Sequence, residues 1–155
     1  MMRRPRMGAA LAAVLATLGI LAGCGDEGPT GPQFGDLVFN PSFVDLPGDD
    51  RTTAFVLENR GPRDLSSVAL GLDIIVRTAM PDSLCFGPQA DFVPSSVASL
   101  AQGADLAVSL TLDMSTTTTE LCPAGQYDAT LLAAVAGGQV LGGATVRFNW
   151  DGTPP

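Results

Sequence analysis

The 155-residue chain contains no histidine and no lysine, and this absence removes whole classes of chemistry. Without histidine there is no Ser-His or Cys-His catalysis and no histidine-bearing zinc site. Without lysine there is no Schiff-base nucleophile and no phosphate-loop lysine. We therefore expect a non-enzymatic protein without a cofactor. Glycoside hydrolysis, which needs only two carboxylates, stays chemically possible.

Basic charge is scarce and is concentrated at the start of the chain. Arg3, Arg4 and Arg6 precede an apolar, alanine-rich stretch from Met7 to Leu21. A basic start, a short apolar run and small residues before a cut are typical of a secretory signal peptide. The run is too short and too rich in alanine for a membrane span, which needs about 20 strongly apolar residues. The sequence therefore predicts a cleaved signal peptide over residues 1–23.

The predicted signal ends at Leu21-Ala22-Gly23-Cys24, which resembles the lipobox of bacterial lipoproteins. In that family a diacylglyceryl group is joined to the cysteine thiol before cleavage. The resemblance therefore implies lipid on Cys24 and a durable membrane anchor in the cell envelope. Gly25 after the cysteine favours the outer membrane where a bacterium has two, although Asp26 weakens that inference. With one membrane, the anchor would hold the outer face of the cell membrane. The alternative is an ordinary signal with an incidental cysteine.

The mature chain is strongly acidic. After cleavage five arginines face sixteen aspartates and glutamates, a formal charge of minus eleven. Such a surface repels phosphate backbones and has no basic stripe, so nucleic acid is not an expected partner. The charge favours a soluble domain on its tether, and we expect a monomer.

Cysteine is scarce as well. With Cys24 assigned to lipid, Cys85 and Cys122 remain. An even pair in an oxidising compartment predicts a disulfide, which would close a loop of 38 residues counting both ends. Two free buried thiols are the alternative.

Hydrophobic patterning divides the mature chain into three parts. Residues 24–33 lack any large apolar residue and predict a flexible tether. Residues 34–150 alternate apolar and polar side chains with period two, the pattern of half-buried strands, and residues 151–155 form a loose tail. The predicted strands are Leu37–Phe39, Phe43–Leu46, Thr52–Glu58, Val68–Val76, Asp91–Val93, Asp105–Asp113, Tyr127–Val135 and Ala144–Trp150.

The turns between these runs carry proline, glycine and aspartate, and no long helical pattern interrupts them. Seven or eight short strands of this kind predict an all-β, antiparallel immunoglobulin-like β-sandwich. The alternation places one set of side chains of the fourth run on a single core face, namely Val68, Leu70, Leu72, Ile74 and Val76.

Two further resemblances point to that fold. Tyr127 follows Pro123-Ala124-Gly125-Gln126 and resembles the tyrosine corner of immunoglobulin-like domains, although a tyrosine that only packs at a strand end is the alternative. The stretches Phe43–Gly48 and Leu57–Pro62 resemble bacterial immunoglobulin-like modules of the cell-adhesion-related type, over residues 36–149. Such modules usually serve as spacers or binding units. No binding site is carried over, because neither cysteine sits mid-strand as in antibody domains.

Three weaker candidates each have two interpretations. Asp45, Asp49 and Asp50 could offer oxygens to calcium, but a solvated acidic turn is preferred and no metal site is predicted. The run Ser115–Glu120 is either an exposed connection or a glycan acceptor or contact loop. Phe148 and Trp150 either pack in the core or line a carbohydrate or peptide contact.

These observations predict a membrane-anchored envelope lipoprotein whose domain binds an envelope protein or polysaccharide, or acts as a structural accessory. An exposed edge strand could recruit an extended peptide. Two alternatives stay open. A small carbohydrate-active enzyme would need two acids about 5 to 10 Å apart in a cleft. A periplasmic chaperone-like sandwich would need an exposed apolar groove, whereas the apolar residues are expected to be used up by the core faces.

Overall fold

The computed structural model describes residues 31–153. The predicted signal peptide, Cys24 and most of the predicted tether lie outside the described residues. Within residues 31–153 there is no helix of the length and hydrophobicity required to cross a membrane. The ten strands are β1 Leu37–Asn40, β2 Phe43–Asp45, β3 Thr52–Asn59, β4 Leu65–Arg77, β5 Met80–Leu84, β6 Gln89–Val93, β7 Ser96–Leu100, β8 Asp105–Asp113, β9 Gly125–Val135 and β10 Val140–Trp150.

The strands form two sheets. One has four antiparallel strands in the order β1-β3-β8-β6. The other has six strands, with β2-β10-β9-β4-β5 in order and β7 also paired to β4. Every pair in it is antiparallel except β2, which runs parallel to β10. The predicted all-β sandwich is confirmed, and its strands are mostly antiparallel as expected.

The predicted number of strands is too low, because β5 and β7 do not alternate. β5 contains Pro81, which argues against a strand. In β7 the buried residues are Val97 and Leu100, three positions apart rather than two. β5 joins the sheet by pairing with the end of β4 across a short turn, and β7 joins it through long-range pairing with β4, which a local pattern does not record.

The core lies between the two sheets, and the alternating faces of β8 and β10 supply much of it. Val108, Leu110 and Leu112 face inward from β8, as their spacing predicts. The ring of Phe39 meets that of Phe55 edge to face, with centroids 5.6 Å apart. The buried hydrophobic side chains of the two last strands are Tyr127, Ala129, Leu131, Ala133, Leu141, Ala144, Val146, Phe148 and Trp150.

β4 departs from its predicted alternation at a β-bulge. Its register against β9 shifts between Leu72 and Ile74, so one extra residue enters β4 there. An extra residue exchanges the two faces of a strand. Ile75 is therefore buried, while Ile74 is 37% exposed. The expectation that Ile74 and Val76 share the core face with Val68 is wrong.

The sandwich has two distinct ends. At the entry end, where the chain joins β1, the amide of Gly35 donates to the Leu141 carbonyl at 2.7 Å and that of Arg60 donates to the Asp36 carbonyl at 2.8 Å. The far end holds Trp150, at the end of β10, and the loop 114–124 before β9. Each of β9 and β10 has eleven residues and spans about 35 Å between the two ends.

Asn59 fixes the predicted turn at the entry end. Its side-chain amide donates to the carbonyls of Arg63 and Leu100, both at 2.9 Å. Its Oδ1 accepts from the amide of Gly61 at 3.0 Å. Asn59 is buried, and these three bonds satisfy its polar atoms. The Asn59 side chain therefore holds the turn after β3 in one conformation.

Candidate functional site: an open edge of the six-stranded sheet

The predicted pairing of Cys85 with Cys122 is present as a disulfide, with the two Cα atoms 4.9 Å apart. Cys85 follows β5, and its amide donates to the Ile75 carbonyl of β4 at 2.9 Å. Cys122 lies in the loop before β9, where its amide donates to the Thr118 carbonyl at 2.8 Å. The disulfide thus joins the chain after β5 to the loop at the far end.

Tyr127 lies beside this disulfide. Its hydroxyl donates to the Pro123 carbonyl at 2.5 Å, four residues back along the chain. This bond into the preceding turn is the contact that a tyrosine corner makes. Burial raises the pKa of Tyr127, and the nearby Arg77 partly offsets that effect. The ring also stacks on Phe148, with centroids 5.9 Å apart.

Phe148 and Trp150 pack in the core and do not line an exposed contact. Phe148 is fully buried and Trp150 is 4% exposed. The indole Nε1 of Trp150 donates to the Cys122 carbonyl at 2.9 Å. The Arg51 guanidinium lies over both rings, 5.6 Å from the Phe148 centroid and 5.9 Å from the Trp150 centroid. Of the two interpretations given by the sequence, the structure selects core packing.

The polar run Ser115–Glu120 holds loops together at the far end. The hydroxyl of Thr116 donates to the Gly87 carbonyl, and that of Thr119 donates to the Gly152 carbonyl at 3.2 Å. Thr117 is buried. These contacts make the run a connector between the disulfide region and residues 151–153.

Hydrogen bonding shifts the pKa values of two carboxyl groups, Glu58 and Asp113. Hydrogen bonds from Asn40 and Arg60 lower the pKa of Glu58. Hydrogen bonds from Ser115 lower the pKa of Asp113. A general acid needs a raised pKa, so both shifts run in the wrong direction for that role. Across residues 31–153 no three His, Cys, Asp or Glu side chains, Asp45, Asp49 and Asp50 included, are placed to hold a metal ion.

An open stretch of β4 is the feature that the sequence does not predict. β4 is thirteen residues long and pairs with β9 on one side. On the other side β7 pairs with Leu65–Ala69, and β5 pairs with Val76 and Arg77. Between them, within the described part of the chain, Leu70–Ile74 has no strand partner on that side. We call these five residues the β4 notch.

The β4 notch exists because the chain changes sheets. After β5 it crosses to the four-stranded sheet as β6, which pairs with β8. It then returns to β4 as β7. Two short strands, β5 and β7, therefore pair with the same side of β4. The gap between them spans about 17 Å at the rise of a β-strand.

Apolar side chains are exposed beside the β4 notch. Ile74 lies on β4, Leu84 ends β5, and Phe86, at 57% exposure, follows the disulfide cysteine. A cavity of about 450 Å³ separates Leu72–Ile75 from Leu84–Pro88. The expectation that the core faces use up the apolar residues is wrong at this edge.

The charged side chains beside the β4 notch are acidic. Asp73 lines the cavity, and Asp82 lines a neighbouring depression formed by β5. Neither carboxylate forms an ion pair with a residue of the range 31–153. The nearest cation on β4, Arg77, donates instead to the Ala124 carbonyl at 2.7 Å. An exposed apolar cluster with two unneutralised carboxylates therefore lies next to open backbone.

The opposite edge of the same sheet offers less to a partner. β2 is three residues long. Its exposed Phe43 lies under the Arg147 guanidinium, 5.3 Å from the ring centroid. Arg147 is held in turn by Asp128 at 2.8 Å, and this hydrogen bond raises the pKa of Arg147. Very short edge strands are one way in which proteins discourage pairing with other chains.

Comparisons with known proteins yield a similar fold but no family. No family model and no curated protein sequence matches the chain. A solved structure with a similar fold is the ASH/PapD-like domain of human CEP192 (PapD-like domain 7), at 14% identity and a TM-score of 0.46. The match covers 92% of this chain and 95% of that domain. The described strands define the class of the domain as a mostly antiparallel β-sandwich.

Proposed function

We propose that this chain is a bacterial envelope lipoprotein, anchored through lipid on Cys24, whose β-sandwich is a non-enzymatic binding or structural accessory domain. The observation that carries the proposal is the order of the first 24 residues. Arginines, a short apolar run and Leu21-Ala22-Gly23-Cys24 follow one another, and the sandwich begins soon afterwards at Leu37.

The two ends of the sandwich support this arrangement. The chain enters at the end formed by Gly35 and Leu141. Gly31 lies seven positions after Cys24, and seven residue steps reach at most about 25 Å. The entry end therefore faces the membrane, and the far end with its disulfide points away. The β4 notch lies between the ends, on the side of the domain, where Asp73 and Ile74 are exposed.

The geometry supports binding better than catalysis. The resolved pKa shifts of Glu58 and Asp113 are downward, whereas carboxylate-dependent hydrolysis needs one raised pKa. The exposed cluster of Ile74, Leu84 and Phe86 instead favours contact with an apolar partner.

The same exposed apolar cluster is also a feature that a chaperone-like domain would need. A chaperone that holds unfolded chains would suppress aggregation of several unrelated denatured proteins. Phe86→Asp would abolish such suppression. A domain with one dedicated partner would leave unrelated proteins to aggregate at the same rate with or without it.

Lipidation is tested by replacing Cys24. In a lipoprotein-processing bacterial host, the native protein should incorporate an alkyne-labelled fatty acid and sediment with membranes. Cys24→Ser should remove the label and release nearly all of the mature domain from the membrane pellet, because the thiol that carries the lipid is gone. The matched control, Cys85→Ser with Cys122→Ser, should keep the label. Label retained by Cys24→Ser, or lost from the control, contradicts the proposal.

A further inference from the structure

Open backbone at the β4 notch can be completed by another strand. The unpaired N–H and C=O groups of an edge strand form a template for a further chain. β5 and β7 both run antiparallel to β4 on this side. A short extended segment placed between them would continue their line and extend the sheet. The question is which chain can occupy the gap.

The chain's own N-terminal segment does not have the chemistry to fill the gap. Residues 25–30 read Gly-Asp-Glu-Gly-Pro-Thr and contain no apolar side chain. Asp26 and Glu27 would bring negative charge next to Asp73. Pro29 cannot donate a hydrogen bond to a neighbouring strand.

A second copy of the chain is disfavoured by charge. Each mature copy carries a formal charge of minus eleven. Pairing of two β4 edges would bring Asp73 and Asp82 of one copy towards the same carboxylates of the other, and neither is neutralised within residues 31–153. Like charges placed opposite one another on neighbouring strands are destabilising.

We propose that the β4 notch binds an extended segment of another polypeptide as an added strand. The apolar side chains of that segment contact Ile74, Leu84 and Phe86, and a basic side chain of the segment lies near Asp73 or Asp82. The open backbone supplies the hydrogen bonds, and the apolar cluster with its acidic flank selects the segment. This inference deepens the binding role proposed above. It does not depend on the lipid anchor.

The selectivity follows from the size and charge of the site. A gap of five residues admits a segment of about the same length, so only two or three of its side chains face the exposed apolar cluster. Oppositely charged flanks favour encounter and fix the direction and register of the segment. We therefore expect weak but charge-selective binding.

The probe is an acetylated heptapeptide in which five alternating valine and threonine residues, the length of the gap, are flanked by an arginine at each end. It is titrated into the isotope-labelled mature chain, residues 24–155, carrying Cys24→Ser so that no lipid is needed. NMR amide shifts should concentrate at Gly71, Leu72 and Asp73. The peptide with glutamate ends should bind at least tenfold more weakly. A version with N-methylated central amides should not bind, because it lacks the backbone donors.

Matched variants distinguish binding at the β4 notch from nonspecific hydrophobic binding. Phe86→Asp should weaken binding at least tenfold. Phe34→Asp, at a phenylalanine that is 75% exposed at the entry end, should leave the affinity unchanged. Asp73→Lys with Asp82→Lys should reverse the preference in favour of the glutamate-ended peptide, a change that simple loss of folding would not produce.

Several results would overturn the inference. These are amide shifts away from Leu70–Ile74, equal binding of the N-methylated peptide, or equal effects of Phe86→Asp and Phe34→Asp. Notch shifts caused by a soluble envelope polysaccharide, with none caused by the peptide, would also overturn it. Because the titration uses Cys24→Ser, its failure leaves the lipidation test unaffected, and failure of lipidation leaves this test valid.

Discussion

Replacing Cys85 and Cys122 together by alanine is expected to lower the free energy of unfolding by roughly 4 kcal/mol. The two cysteines are 37 positions apart, so the disulfide removes much chain entropy from the unfolded state. For a domain of this size the midpoint of thermal unfolding should fall by about 10 to 15 °C.

The location of the disulfide adds to this effect. Next to Cys122, the Pro123 carbonyl accepts the Tyr127 hydroxyl, and the Cys122 carbonyl itself accepts the Trp150 indole. Releasing the loop loosens both acceptors of buried aromatic side chains. The far end should therefore lose order before the entry end does.

Chemical and thermal denaturation in a Cys24→Ser background measure this loss without interference from a third thiol. Cys24→Ser alone is the control and should unfold like the native mature domain. A double alanine variant within about 1 kcal/mol of the control would show that the cysteines are not paired in the folded protein.

Gly142→Ala is expected to destabilise the domain by about 3 kcal/mol or more. A β-carbon on Gly142 would lie 1.9 Å from the Leu37 carbonyl oxygen and 3.0 Å from its carbon. Both atoms belong to the backbone of β1, so a rotamer change cannot relieve the clash. β1 lies in the four-stranded sheet and β10 in the other sheet, and the change would push the two sheets apart at the entry end.

Gly71→Ala is the matched control on the same six-stranded sheet. A β-carbon there would meet no atom within 4 Å. Its effect should lie between zero and a gain of about 1 kcal/mol, because alanine restricts the unfolded chain. Urea denaturation measures the free energy of unfolding of both variants. Equal stabilities would mean that β1 and β10 do not approach each other as described.

The parts of the fold that the sequence predicts are those set by neighbouring residues. In β8, Val108, Leu110 and Leu112 alternate with polar side chains, and burial of that face needs no knowledge of the rest of the chain. The likeness of Tyr127 to a tyrosine corner also comes from a local stretch, and its hydroxyl bonds within four residues. Local periodicity and local turns are the signals that a single sequence carries most clearly.

The parts that the sequence does not predict depend on distant residues. The bulge between Leu72 and Ile74 is one extra residue against β9, and only the partner strand reveals it. The close approach of Gly142 to Leu37 joins residues that are far apart in the sequence but lie together at the entry end. The β4 notch also arises in this way, because a segment that changes sheets leaves open backbone in a strand much earlier in the chain.

One signal for the candidate site was present in the sequence. Phe86 directly follows Cys85, and the disulfide of Cys85 fixes this part of the chain to the loop before β9. Ile74 gave no such signal, since its position in an alternating run predicted burial. The exposure of Phe86 is thus related to a local feature of the sequence, whereas the exposure of Ile74 depends on a bulge that only the partner strand reveals.

Photo-crosslinking in living cells tests the membrane-anchored binding role of this domain. A photoreactive phenylalanine analogue replaces Phe86 in the native lipoprotein, with Phe34 as the control position, and both are made with and without Cys24→Ser. We expect a crosslink from position 86 to a defined envelope polypeptide. It should be absent from position 34 and strongly reduced when the lipid site is removed. Identical crosslinks from both positions, or a crosslink from position 86 that is unaffected by Cys24→Ser, would contradict the account of a membrane-anchored binding domain.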